Sequence, residues 1–177
     1  MTQRDEPEEA VERPQYLTFE VAGVEYGVAV LAVREVLQHE HVTPVPSMPR
    51  AVRGVINLRG RVVPVLDLAA RFGLATTSRT RRTCIVIAEV RLDGQPAVMG
   101  LLVDAVRQVI ELGPDEIDPP PPFGTKVKVE YLVGIGKVAA DRFVLLLDVD
   151  RVVTAAEQGL APEVAGAAPG SEARSET

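Results

Sequence analysis

Apolar residues fall in short runs along this chain, some alternating with polar positions and some continuous, and most of the runs stop at a glycine or a proline. The clearest block is residues 51–74, AVRGVINLRGRVVPVLDLAARFGL. Val55, Ile56 and Leu58 lead into Arg59-Gly60-Arg61, and the run from Val62 to Leu66 leads out, which predicts two neighbouring strands joined by a tight turn whose glycine takes up the unusual dihedral. Asp67 stands where a helix N-cap belongs, Leu68 to Phe72 make about a turn and a half, and Gly73 is placed as C′. Such a module packs and presents surfaces; it does not obviously react.

The same reading predicts strands over Tyr16 to Val21, Glu25 to Ala29, Val33 to Gln38, Val42 to Val45, Val52 to Leu58 and Val62 to Leu66 in the first half. After a polar connector from Ala75 to Arg81, the second half predicts Thr83 to Arg91, Pro96 to Val103, Val106 to Leu112, Leu132 to Val138 and Phe143 to Asp148, with a helix from Val149 to Ala155. Asp118 to Phe123, with Pro119 to Pro122 consecutive, predicts an exposed loop outside any ladder, because proline has no N–H to donate.

The halves echo each other. Residues 27–36, GVAVLAVREV, share six of ten positions with 100–109, GLLVDAVRQV, at a constant offset of 73. Gly54-Val55 followed by Arg61 to Asp67 is matched, at a slightly longer offset, by Gly134-Ile135 followed by Arg142 to Asp148. Two echoes in the same order favour duplication of a unit of about 70 residues, the size of a small SH3-like barrel. The expected fold is therefore mostly β: two five-stranded SH3-like barrel subdomains with short helices, the first over about 15–75 and the second over about 82–155, with strand exchange between them a further option.

Composition sharpens the outline. The 177 residues are 46% hydrophobic and only 4% aromatic, so the core has to come from Val, Leu, Ile and Ala. Residues 1–14 carry a net charge of −3 and residues 156–177 another −3, which leaves 15–155 neutral with 16 residues of each sign. Both ends read as disordered acidic segments without apolar periodicity. A neutral core argues against nucleic acid as a partner, since its recognition usually needs a basic face. No apolar run approaches the ~18 residues of a membrane helix, one cysteine excludes an internal disulfide, and the N-terminus lacks the pattern of a signal peptide. These features predict a cytoplasmic protein with no direct membrane insertion.

Tyr26-Gly27-Val28, Val33-Arg34-Glu35-Val36, Thr43, Pro49, Gly54 to Gly60 and Pro64 to Leu68, continued by Gly100, Asp104 and Tyr131 to Gly136, resemble in order and spacing the CheW family of bacterial chemotaxis coupling proteins. The resemblance covers about 15–155. It implies two five-stranded SH3-like barrels in a free-standing, non-catalytic adaptor without cofactor, a monomer when isolated. Its implied partners are the regulatory domain of a CheA-type histidine kinase and the cytoplasmic tip of chemoreceptors, in arrays at the inner face of the membrane. An adaptor of the same kind in a chemosensory-like pathway for surface motility or development is the alternative.

On the family pattern the kinase contact corresponds to Val33, Glu35, Val36 and Thr43. Strand alternation leaves only one of Glu35 and Val36 inward. Receptor contact corresponds to Arg59, Cys84, Ile85 and Val103 in the groove between the barrels, where an amphipathic helix lays its apolar face. Arg59 is also placed to pair with Glu35.

The remaining candidates point away from chemistry. His39 and His41 are two apart, but with no third histidine and no cysteine nearby they read as solvated turn residues rather than metal ligands. Cys84, at a strand start, reads as a packing residue. Of Asp148 and Asp150, one reads as a helix cap. Gly134-Ile135-Gly136-Lys137 lacks the third glycine of a dinucleotide turn and the Lys-Ser/Thr of a P-loop. A small metal-dependent enzyme on a double barrel is a distant alternative.

Overall fold

In the computed structural model, which describes residues 13–38, 41–120 and 129–154, the short apolar runs become strands β1 Gln15–Val21, β2 Val24–Ala29, β3 Val33–Gln38, β4 Val52–Leu58 and β5 Arg61–Asp67, then helix α1 Leu68–Arg71. Next come β6 Cys84–Leu92, β7 Gln95–Val103, β8 Ala105–Glu111, β9 Ile117–Asp118, β10 Leu132–Ala139 and β11 Arg142–Leu147, with 149–154 helical. Three hairpins turn on two residues of positive φ, Ala22-Gly23 (52° and 83°), Arg59-Gly60 (52° and 84°) and Asp93-Gly94 (55° and 78°), the pairing that matches strand twist in a two-residue loop.

Two stretches differ from the sequence expectation. Val42 to Val45 forms no strand; Thr43 alone makes a bridge to Val55, because Pro44 and Pro46 have no N–H with which to extend it. Asp118, expected in the proline loop, closes the two-residue strand β9 and stands opposite Ile135 of β10. Pro121 to Phe123 lie outside the described residues.

The strands form two sheets that do not follow the halves of the chain. One, sheet I, has the order β8-β1-β2-β11-β10-β9, and the other, sheet II, the order β3-β6-β7-β5-β4. Hairpin β1–β2 therefore sits among strands of the second half and hairpin β6–β7 among strands of the first. The sheets are thus not the contiguous segments 15–75 and 82–155; each takes one hairpin from the other half, which is the strand-exchange option of the sequence reading. The joints are parallel, Leu146 opposite Gly27 and Val65 opposite Gly100. A Cβ on Gly27 would lie 3.1 Å from both Leu146 and Val144, and one on Gly100 would lie 2.8 Å from Ile85. At Gly27 the room is taken by side chains of the other half; at Gly100 it is taken first by Ile85 of its own hairpin, with Val65 of the other half at 3.4 Å.

Three apolar clusters follow from strand alternation. Ile56, Val63, Val65, Ile85, Ile87 and Leu102 fill the interior of sheet II, and Leu112, Val144 and Leu146 that of sheet I. The larger cluster lies between the sheets, where Leu17, Phe19, Tyr26 and Val28 meet Val86, Ala88, Leu101 and Val103. A row of rings, Phe19, Tyr26, Phe72 and Tyr131, with centroids 6.3, 5.2 and 6.3 Å apart, runs through it. Burial pushes the Tyr26 phenol up to about 12.

Asp67, fully buried, ties β5 to α1 and to the connector beyond it. It accepts from the amides of Ala69 and Ala70 as N-cap of α1, from the amide (2.9 Å) and hydroxyl (2.8 Å) of Thr77, and from Arg53 at 2.8 Å. Its counterpart Asp148 accepts from the Arg151 amide at 3.3 Å, while Asp150 accepts from the Arg91 amide at 2.9 Å. Both aspartates act as structural acceptors.

Candidate functional site

Among the described residues, strand β3 lies at the edge of sheet II, with β6 beside it in the ladder. A register shift between Val33 and Glu35 sets its faces: Glu35 and Leu37 turn toward the sheet interior, Arg34, Val36 and Gln38 toward solvent. Val33 is half-buried against the central cluster, whereas Val36 is 40% exposed. Alternation is thus resolved with Glu35 inward and Val36 outward. Because β3 is an edge strand, a partner gripping that edge reaches both faces.

Glu35 does not stop at the interior. The Arg59 guanidinium, carried on the β4–β5 turn, donates to both its carboxylate oxygens, at 2.5 and 3.0 Å. That bidentate bond holds the Glu35 carboxyl below the usual range and raises Arg59 in turn. Around the pair lies a surface hollow of about 440 Å³, with Leu58, Val62 and Ala97 among its walls. Val62 is 72% exposed. Thr43, also exposed, is fixed by its backbone bridge: its amide donates to the Val55 carbonyl at 2.8 Å and its carbonyl accepts from the Val55 amide at 2.9 Å. Gly54, beside it at φ 144°, has no room for a Cβ, which would overlap the Thr43 carbonyl.

The set Arg59, Cys84, Ile85 and Val103 does not form one surface. Cys84 and Val103 are opposite neighbours on β6 and β7 and point into the central cluster, and Ile85 points the other way, into sheet II; all three are buried. Both faces of β6 are covered, so alternation leaves none of the three a side open to solvent. The Cys84 thiol is spent locally, donating to the Arg82 carbonyl at 3.3 Å. Ile85 does reach the wall of a small cavity of about 140 Å³ shared with Val42, Pro44, Arg53 and Leu102. Arg59 belongs with Glu35: Glu35 faces Ile87, whereas Cys84 faces Gln38, three positions further along, or about 10 Å.

What sequence reasoning missed is Leu31, the most exposed large apolar side chain among the described residues at 96%. It stands on a single 3-10 turn, Val30–Ala32, beside a groove of about 360 Å³ whose walls include Ala32, Val90, Pro96 and Val149. That groove joins hairpin β6–β7 to the helical start at 149–150. A signal was present: at the offset of 73, Leu31 corresponds to Asp104, a polar position. Val62 stands in an unbroken apolar run, where alternation with Val63 and Val65 turns it outward.

Among the described residues no three His, Cys, Asp or Glu side chains gather as a metal site, and none of the described helices is long and apolar enough to cross a membrane. His41 is exposed, and His39 lies outside the described residues.

Comparison with known proteins gives one family. The sequence model described as the CheW-like domain matches residues 15–157. The chemotaxis protein CheW of Klebsiella aerogenes is 32% identical over 151 residues, covering 85% of this chain and 88% of that protein, and that of Rhizobium meliloti is 33% identical over 144 residues, covering 81% and 90%. Among solved structures, the scaffolding protein TtCheW from Thermoanaerobacter tengcongensis superposes with a TM-score of 0.70 at 33% identity, over 80% of this chain and 88% of that one.

Proposed function

The chain belongs to the CheW-like domain family, and from that premise we propose that it is a scaffold without chemistry of its own, coupling chemoreceptors to a CheA-type histidine kinase in chemotaxis signalling. The observation that carries the reading is the β3 edge, where the locked pair Glu35–Arg59 stands between exposed Val36 on one side and exposed Val62 on the other. An edge strand with exposed apolar residues beside a fixed charged pair offers a protein partner both contact area and register.

In this reading the kinase regulatory domain takes Val33, Glu35, Val36 and Thr43, with Val33 supporting the strand from behind, over ~800 Å² per partner or less. Arg59 serves the same contact by fixing Glu35. The receptor helix takes the groove beside Leu31 rather than Cys84, Ile85 and Val103, which are buried toward the other end of hairpin β6–β7. The protein works at the inner face of the membrane through receptors, and the signal passes as a shift in kinase population.

The test is co-sedimentation of the kinase with receptor-containing membranes. The expected result is that the kinase pellets only when this protein is added, and that Leu31→Glu leaves both kinase and adaptor in the supernatant. Equal kinase in the pellet with and without the protein would overturn the reading.

A further inference from the structure

The repeat places on sheet I a counterpart of the β3 edge with different chemistry. At the offset of 73, Arg107, Gln108 and Val109 stand for Arg34, Glu35 and Val36, and at the offset of the second echo Arg142 stands for Arg61. These residues surround an opening of about 390 Å³ lined by Arg82, Val106, Arg107, Gln108 and Arg142. With Gln108 in place of a glutamate, the acids facing the three guanidinium groups are Glu20 and Glu25. Arg142 donates to both Glu25 oxygens, at 3.1 and 2.9 Å. Arg82 approaches Glu20 at 3.7 Å, and Arg107 approaches Glu20 and Glu25 at 3.9 Å each. Asp104, nearby, is engaged by the Ala22 amide. The lining of the opening itself carries three guanidinium groups and no carboxylate, although 15–155 is neutral as a whole.

The chain carries the complement. Residues 1–12 hold five acidic side chains and one arginine, with Asp5, Glu6, Glu8 and Glu9 inside five positions. The segment leads into β1, next to edge strand β8: the Leu112 amide donates to the Pro14 carbonyl, and Gln15 faces Glu111 across the β1–β8 ladder. From Glu111 to Arg107 is four residues of strand, about 13 Å. Glu9 and Asp5 precede Arg13 by four and eight residues, a reach of about 14 and 28 Å. Among the described residues no strand lies beyond β8 in sheet I, and Val109 on it is 51% exposed.

We propose that the acidic segment 1–12 docks on the Arg82, Arg107 and Arg142 face of sheet I and covers the counterpart of the β3 edge. Its tether sets a high effective concentration, so ion pairs that are weak one by one act together. A partner needing that face has to displace the segment, and rising salt releases it. The C-terminal residues 155–177 are the weaker candidate, because their four acidic side chains are spread over 20 positions.

Backbone amide NMR spectra of the full chain test this against the variant Asp5→Asn, Glu6→Gln, Glu8→Gln, Glu9→Gln, which leaves the folded part untouched. At about 0.01 M ionic strength the expected differences fall on the amides of 80–82, 106–109 and 142 and vanish at about 1 M. Arg107→Gln should abolish the same differences, and removal of residues 157–177 should leave those amides unmoved. Superimposable spectra beyond residue 14, or shifts at these amides on removing 157–177 instead, would overturn the proposal. No kinase or receptor enters the experiment, so its failure would leave the adaptor reading standing.

Discussion

Arg59 and Glu35, 24 residues apart in sequence, meet in a bidentate ion pair that ties the β4–β5 turn to edge strand β3. The arginine sits at φ 52° on a turn whose next amide, Gly60, donates to the Asn57 side chain at 2.8 Å, so the guanidinium is aimed by local geometry before any partner arrives. The Arg59 side chain is 72% exposed, and exposed pairs add little to stability. Arg59→Ala should therefore shift the melting temperature by less than about 3 °C, while kinase affinity drops about tenfold or more. A large loss of melting temperature with normal coupling would mean that the pair is structural.

Gly54 and Gly60 separate close approach from turn conformation. At Gly60 a Cβ meets nothing within 4 Å, so Gly60→Ala should cost only the left-handed penalty, about 1–2 kcal/mol. Gly54→Ala meets the Thr43 carbonyl and should cost more than about 3 kcal/mol, read as a lowered denaturation midpoint. Equal costs would show that the Thr43–Val55 bridge gives way freely.

Asp67 is buried with five donors, so its charge and its acceptors are both needed. Asp67→Asn should destabilise by about 3 kcal/mol, because Arg53 loses its carboxylate and an amide N–H₂ is set against donors. Thr77→Val, removing one hydroxyl bond, should cost about 1 kcal/mol. Urea titration orders the two.

Glu25 supplies an acid-side signature. Partial burial works to raise its carboxyl, but the hydrogen bonds and charge of Arg142, with Thr18 and Arg107, outweigh it and hold it below its ordinary 4.5. A carboxyl depressed on folding stabilises above its unfolded value, and that contribution is lost as pH falls through the folded one. Arg142→Gln should therefore flatten the decline of stability below about pH 4.5 and leave the slope near pH 7 unchanged. An unchanged acid limb would place the acid sensitivity elsewhere, for instance at Glu35 or Glu116, both also lowered.

Leu31 and Val36 should separate the two partners. Leu31→Glu is expected to abolish receptor binding at unchanged kinase affinity, because the 3-10 turn carrying it lies off the outward face of β3. Loss of both together would mean that groove and edge form one surface.

Most strands are legible in the sequence because period-two alternation and glycine turns are local signals: β3 and β4 are bounded to the residue, and Asp67 declares itself as a cap. The exchange of hairpins between sheets depends on parallel contacts, Gly27 with Leu146 and Gly100 with Val65, far apart in sequence, and only the repeated glycine hints at them. The burial of Cys84, Ile85 and Val103 is not legible in the sequence for a related reason. A strand covered on both faces and an exposed apolar surface give the same run of letters, and only the partner strands tell which it is. Leu31 escapes because a single turn of 3-10 helix interrupts the alternation that would have exposed it.

The central claim is tested most directly by calorimetric titration of this protein with the C-terminal regulatory domain of its own cell's CheA-type kinase, run beside Val36→Asp. Saturable binding that disappears in the folded variant is the predicted result and locates the kinase on the β3 edge. Absence of binding at about 100 μM, or equal binding by the variant, would contradict it.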